Sequence, residues 1–227
     1  MPVYVLSDEI VFPPVNLATH EGLLAIGGDL STARLLEAYR NGIFPWYSEG
    51  EPIMWWSPTP RMVVLPGNYR PSKSLRQKLR KNVFSIRFDT AFREVMQACA
   101  KAPRNGQEGT WITTEMQEAY YKLHKQGYAH SVEAYQNNQL VGGLYGISLG
   151  KAFFGESMFH DITDASKVAY HHLMEFVSGN GIEVVDAQQD TPHLRKLGGT
   201  LLDRDDFISL LRNALQAPTL KGPWSLK

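Results

Sequence analysis

The stretch HSVEAYQNNQLVGGLYGISLGKAFF, residues 130–154, decides the fold. His130–Tyr135 and Leu140–Ser148 carry the aromatic and β-branched residues that suit a pleated, half-buried surface, so both read as strands. Asn137-Asn138 between them is a turn signal. Gly150 breaks the run again, and Lys151–Phe154 follows as a third antiparallel strand. The pattern predicts a three-stranded meander at the middle of the chain.

Helix signals surround it. Downstream, Asp164 caps a long helix through Val177, Ile182–Asp186 is a strand, and Phe207, Leu210, Leu211 and Leu215 mark a last helix. Upstream, Ser72 caps a short helix through Lys81 with Leu75 and Leu79 four apart on its buried side. Phe84–Phe88 is a strand, and Asp89 caps a helix whose Phe92, Val95, Met96 and Cys99 recur at helical spacing. Thr113 or Thr114 opens another helix that ends at Gly127. Helices flanking a mixed sheet predict an α+β, or mixed α/β, fold. The first sixty residues are loop-rich, punctuated by Phe12-Pro13-Pro14 and Gly27-Gly28, with one helix from the Ser31 cap to Tyr39. A boundary near Pro58–Pro60 separates a small N-terminal domain, residues 1–59, from a larger one, residues 60–227.

Composition excludes several classes. The 23 basic and 23 acidic residues balance, so no whole-protein field draws this chain to a polyanion or a membrane, and any attraction must be local. One cysteine, Cys99, rules out an internal disulfide and suits a reducing compartment. Its place on the inward side of its helix makes it core, not a nucleophile. MPVYVLSDEIVF lacks the basic start and long apolar run of a signal peptide, and no run of about 18 apolar residues occurs. The expected location is the cytoplasm.

The tract GIFPWYSEGEPIMWWSPTPR, residues 42–61, holds three of the five tryptophans between prolines. Proline fixes φ and removes a donor, which predicts a rigid loop holding flat side chains in set orientations. Such plates either stack on unpaired bases or plug a core. Between Met62 and Phe88 there is no acid, while Arg70, Lys73, Arg76, Lys78, Arg80, Lys81 and Arg87 all occur. On a helix with Leu75 and Leu79 inward, Lys73, Arg76 and Arg80 share one side, either as a solvated face or as a phosphate-binding stripe.

Three further segments carry polar groups among apolar ones. Trp111 stands alone just before a helix start. In GESMF, residues 155–159, Glu156 needs a cation or donors to meet it; Lys167 is a structural candidate. By period two, Val184, Asp186 and Gln188 share a face, so the Asp186 carboxylate and the Gln188 carboxamide can pair. The alternative is that Asp186 caps nearby backbone. His171-His172 are adjacent and lack metal-ligand spacing, and there is no GxSxG, CxxC or P-loop. No metal or organic cofactor is called for.

LLAIGGDLS (23–31), GIFPW (42–46), WWSPTPR (55–61), GTWIT (109–113), GESMF (155–159), ASK (165–167) and DAQ (186–188), in this order, resemble the leucyl/phenylalanyl-tRNA–protein transferase family over nearly the whole chain. The resemblance implies a small N-terminal domain and a larger GNAT-like acyltransferase domain. It implies transfer of Leu or Phe, and less well Met, from aminoacyl-tRNA to proteins with N-terminal Arg or Lys, which marks them for degradation. Trp46 and Trp111 would hold the 3′-terminal adenosine, and Lys73, Arg76, Arg80 and Lys81 the acceptor-stem phosphates. Leu144, Phe153, Met158, Leu173 and Val185 would wall the aminoacyl pocket, with Val185 on the strand face opposite Asp186. Asp186 would polarise Gln188, whose oxygen receives the attacking amine's proton, and Glu156 would meet the acceptor's cationic end. A monomer is expected. The rivals are an acyl-CoA-dependent GNAT enzyme, aminoacyl transfer to a cell-wall precursor, and a non-catalytic RNA-binding module. Against the first, the turn DITDAS, residues 161–166, has no glycine and two acids where a pyrophosphate loop would lie.

Overall fold

A computed structural model describes residues 3–103 and 110–225. Two sheets organise them. The smaller pairs β1 (Tyr4–Leu6), β2 (Leu23–Gly27), β3 (Phe44–Pro45) and β4 (Met54–Trp56) in the order β1-β2-β4-β3. Helix α1 (Thr32–Arg40) leads from β2 to β3, and its Ser31 cap accepts the Arg34 N–H.

The larger sheet holds β5 (Arg61–Val64), β6 (Ser85–Phe88), β7 (Ala129–Gln136), β8 (Gln139–Leu149), β9 (Ala152–His160), β10 (Val184–Gln188) and β11 (Thr200–Leu202). Their order is β11-β5-β10-β9-β8-β7-β6, and every neighbour is antiparallel except β9 and β10. The fold is therefore mixed α/β with a mainly antiparallel sheet. The expected meander is β7-β8-β9, with Gln136 paired to Gln139 around Asn137-Asn138, both at positive φ as a two-residue hairpin requires. Alternate residues along the central strands face two cores. Val63, Tyr145, Phe154 and Val184 join the core shared with the smaller sheet, and Val64, Leu144, Phe153 and Val185 join the opposite one.

Helices cover both faces. α3 (Phe92–Lys101), α4 (Thr114–Lys125) and α7 (Arg204–Ala214) bury Phe92, Val95, Met116, Tyr120, Phe207 and Leu211 in the first core. α2 (Lys73–Arg80) and α5 (Ala165–Gly179) close the second, and α6 (Pro192–Lys196) lies between β10 and β11. Ser72 and Thr113 cap α2 and α4 as expected, each within 3.2 Å of a backbone N–H.

Asp89 does not cap α3. Its carboxylate instead accepts the Ser131 and Trp224 N–H groups and His130 Nδ1, tying the C-terminal segment to β7. Glu133 of β7 faces the start of α3, taking the Thr90 hydroxyl at 2.8 Å and the Ala91 N–H at 3.4 Å. Asp164 precedes α5 without a side-chain cap and pairs with Lys167, so Lys167 is not the partner of Glu156. The third meander strand is longer than expected. β9 runs through residues 155–159 because pairing with β8 continues to Gly142↔His160, which overrides the poor strand propensity of Gly, Glu and Ser.

Candidate active site

Two bulges create the site. Tyr145 pairs with Ser157 and Gly146 with Gly155, which leaves Glu156 as the extra residue of β9. Asp186 pairs with Val63 and Gln188 with Met62, which leaves Ala187 as the extra residue of β10. The parallel pairing of β9 with β10 ends at Phe154↔Asp186, at the same level. Bulges bend strands and re-aim side chains. Here the neighbouring strands part like a fork, and a cavity of about 300 Å³ opens there. Such a volume is at the small end of ligand sites, roughly 300–1,000 Å³.

The cavity has two characters. Leu144, Phe153, Met158, Leu173 and Val185 all line it, together with Tyr170 and Leu194, as an apolar recess. Gly146 permits this wall, since a Cβ there would stand 2.5 Å from the Phe153 ring. Trp46 and Trp111 line the other part with Phe44 and Pro45, and both indoles are half-buried. Trp46 is held firmly. Its N–H donates to the Met54 carbonyl, and its own carbonyl accepts the Trp56 indole N–H at 2.7 Å. Trp55 took the other option: it is fully buried, donates to the Gly27 carbonyl and packs edge-on against Phe12.

The bulge corrects one expectation. Asp186 and Gln188 do not share a face, because the extra residue turns Gln188 toward the cavity while Asp186 stays on the first-core side. Their side chains do not pair. Asp186 makes a bidentate bridge to Arg61, Nε to Oδ1 at 2.9 Å and Nη2 to Oδ2 at 2.7 Å, and also accepts the Gln188 backbone N–H. Both ions are 1% exposed. The Arg61 guanidinium lies 4.8 Å from the ring centres of Phe44 and Phe207. The neighbour of the Gln188 carboxamide is Glu156, whose Oε1 accepts from Gln188 Nε2 at 3.0 Å.

Glu156 is met by donors and by no cation among the described residues. Tyr39 of α1 donates to Oε1 at 2.8 Å and Tyr120 of α4 to Oε2 at 3.2 Å, and the two hydroxyls touch each other. Burial pushes the Glu156 carboxyl up to about 7, with the Asp186 charge adding and these hydrogen bonds opposing. Burial, then the Glu156 charge, keeps both phenols protonated well past their ordinary range.

The basic helix lies one layer away. Lys73, Arg76, Arg80 and Lys81 are exposed at the face of α2 opposite Leu75, which packs in the same core as Tyr170 and Leu173 of α5. Arg70 differs, spending its guanidinium on the Gly67 and Tyr69 carbonyls.

Residues 63–212 match the family model described as leucyl/phenylalanyl-tRNA protein transferase, and residues 28–59 match the model of its N-terminal domain. The chain belongs to this family. Among the transferase family's members, a protein of that name from Desulfatibacillum aliphaticivorans is 53% identical over 227 residues, covering 100% of this chain and 97% of its own length. Another from Syntrophus aciditrophicus is 54% identical over 225 residues, covering 99% and 94%. Among solved structures, that of FemX overlays at a TM-score of 0.47 and 10% identity, across 76% of this chain and 66% of that one.

Arg61, Tyr39 and Tyr120 were not singled out for the site by sequence. A lone arginine opening the run RMVVL was the available signal, since a charge in an apolar strand demands an opposite partner. For Tyr39 and Tyr120, nothing distinguished them from ordinary inward-facing helix tyrosines.

Proposed function

We infer that this protein transfers leucine or phenylalanine, and less well methionine, from aminoacyl-tRNA to the α-amino group of proteins that begin with Arg or Lys. The new peptide bond marks those proteins for degradation. What carries the reading is one cavity that joins two tryptophans, an apolar recess and the Gln188–Glu156 couple. A monomer acting in the cytoplasm is part of the same reading, with residues 1–59 as its smaller domain.

Trp46 and Trp111 hold the terminal adenosine, and the exposed cations Lys73, Arg76, Arg80 and Lys81 follow the acceptor-stem phosphates without reading sequence. The amino-acid side chain enters the recess of Leu144, Phe153, Met158, Leu173 and Val185, where burying a Leu, Phe or Met side chain is worth about 1.5–3 kcal/mol. A single methylene changes such binding by only ~1–3 kcal/mol, so all three are accepted and ranked by fit.

The reaction is ester aminolysis. The acceptor's amine attacks the aminoacyl carbonyl, a tetrahedral oxyanion forms, and the ribose 3′-oxygen leaves. Since the ester is already activated, orientation is the main contribution, up to roughly 7–11 kcal/mol. Gln188 orients the amine through its carboxamide oxygen, and Glu156 meets that same group, which arrives as an ammonium. Asp186 serves by fixing the backbone of Gln188.

Incubation with radiolabelled Phe-tRNA and an Arg-initiated protein tests this. Label should pass to the protein, and prior ribonuclease treatment should abolish the transfer. Binding of tRNA without transfer would favour a non-catalytic RNA-binding module instead.

A further inference from the structure

We propose that Glu156 is the proton acceptor of this reaction, with Gln188 holding the amine against the ester and Tyr39 and Tyr120 holding the carboxylate. The inference rests on the transfer reading above and assigns a role to a residue within it.

Position comes first. Glu156 is the bulged residue of β9 and stands in the fork where the cavity opens, beside the carboxamide that faces the same space. Gln188 donates to Glu156 through Nε2, which leaves Oε1 as the end that can receive an N–H of the amine. A carboxamide does not hold a proton near neutrality. A carboxylate 3.0 Å behind it does.

Hydrogen bonding then shows capacity. Among the described residues, Oε1 receives Tyr39 and Gln188 and Oε2 receives Tyr120, which leaves a lone pair on Oε2 to take a proton. Electrostatics adds the drive. The groups facing Glu156 are the phenols of α1 and α4 and the carboxamide of β10, all neutral. Asp186, paired with Arg61 of β5, acts on Glu156 as a like charge and raises its proton affinity further. A carboxylate with no counterion in a low-dielectric site gains by accepting a proton. Its affinity, up to about 7, is matched to an α-amine of roughly 7.7–8.0.

The step balances without another reactant. The amine lone pair forms the C–N bond, and the carbonyl π pair moves onto oxygen. One N–H proton passes to Glu156. On collapse the carbonyl re-forms, the C–O bond to the ribose 3′-oxygen breaks with its electron pair, and the proton on Glu156 is delivered to that oxygen. Glu156 ends as the carboxylate it began as.

Three measurements test the assignment on the full-length enzyme with Phe-tRNA and an Arg-initiated peptide. Glu156→Gln should lower kcat by ~10²–10⁴-fold, the usual value of a positioned base, with the KM for Phe-tRNA unchanged. Tyr39→Phe removes a donor to the carboxylate and should move the acidic limb of the kcat profile to higher pH. That limb should stay in place when the acceptor amine's own pKa is changed. A raised peptide KM with kcat kept in Glu156→Gln would overturn the base assignment and leave the transfer reading standing. So would a limb that follows the peptide amine and ignores Tyr39→Phe. Absence of transfer by the wild-type enzyme overturns both.

Discussion

Asp186, buried, and Glu156, half-buried, are carboxylates on neighbouring strands, placed by neighbouring bulges, and their surroundings are opposite. Beneath the sheet, Asp186 meets a bidentate arginine held between two aromatic rings. In the fork, Glu156 meets two phenols and an amide, with no cation among the described residues. A carboxylate with a permanent counterion holds its charge and its place, and so builds structure. One without a counterion is free to change charge, and so suits the proposed proton transfer. The difference assigns the two residues their work better than their proximity to each other.

The largest effect should come from breaking the lower pair. Arg61→Met leaves Asp186 buried without a counterion and should cost about 3–5 kcal/mol in urea unfolding. Adding Asp186→Asn in that background should recover part of the loss. Next come the tryptophans. Alanine at Trp46 or Trp111 should weaken binding of an aminoacyl-adenosine analogue by ~1–3 kcal/mol, with the unfolding midpoint little changed. A third effect separates the two carboxylates directly through pH. A carboxyl whose folded pKa lies above its unfolded value binds a proton more tightly when folded. Glu156 therefore contributes stability below its ordinary value of 4.5 that is lost as pH rises toward 7. Wild-type stability should fall through that window more than that of Glu156→Gln, in paired urea titrations at pH 5 and pH 7.5. Equal falls would mean that Glu156 titrates in the folded protein as it does in water.

Local signals were legible where local physics decides. Ser31, Ser72 and Thr113 cap helices because a short hydroxyl side chain reaches the N–H three residues on. The Asn137-Asn138 hairpin needs only its own two residues. The walls of the recess were expected through the family resemblance alone, and they line one cavity. The bulges were not. An extra residue is defined only against its partner strand, and Met62 and Val63 lie far from Gln188 in sequence. The Asp89 cap failed for the same reason, since β7 and the C-terminal segment compete for that carboxylate. The strands of the smaller sheet are two to five residues long, too short for a period of two to show.

The Phe44–Arg61–Phe207 sandwich reaches beyond stability. Its members come from the small sheet, the first strand of the large one and the last helix, and the arginine they clasp fixes the loop-like end of β10. Phe44 is also two residues from the Trp46 plate. Trp46 and the Asp186–Gln188 end of β10 thus share one keystone. A foreign N-terminal segment would have to bring an equivalent ring to Arg61, because the small sheet supplies one side of its clasp.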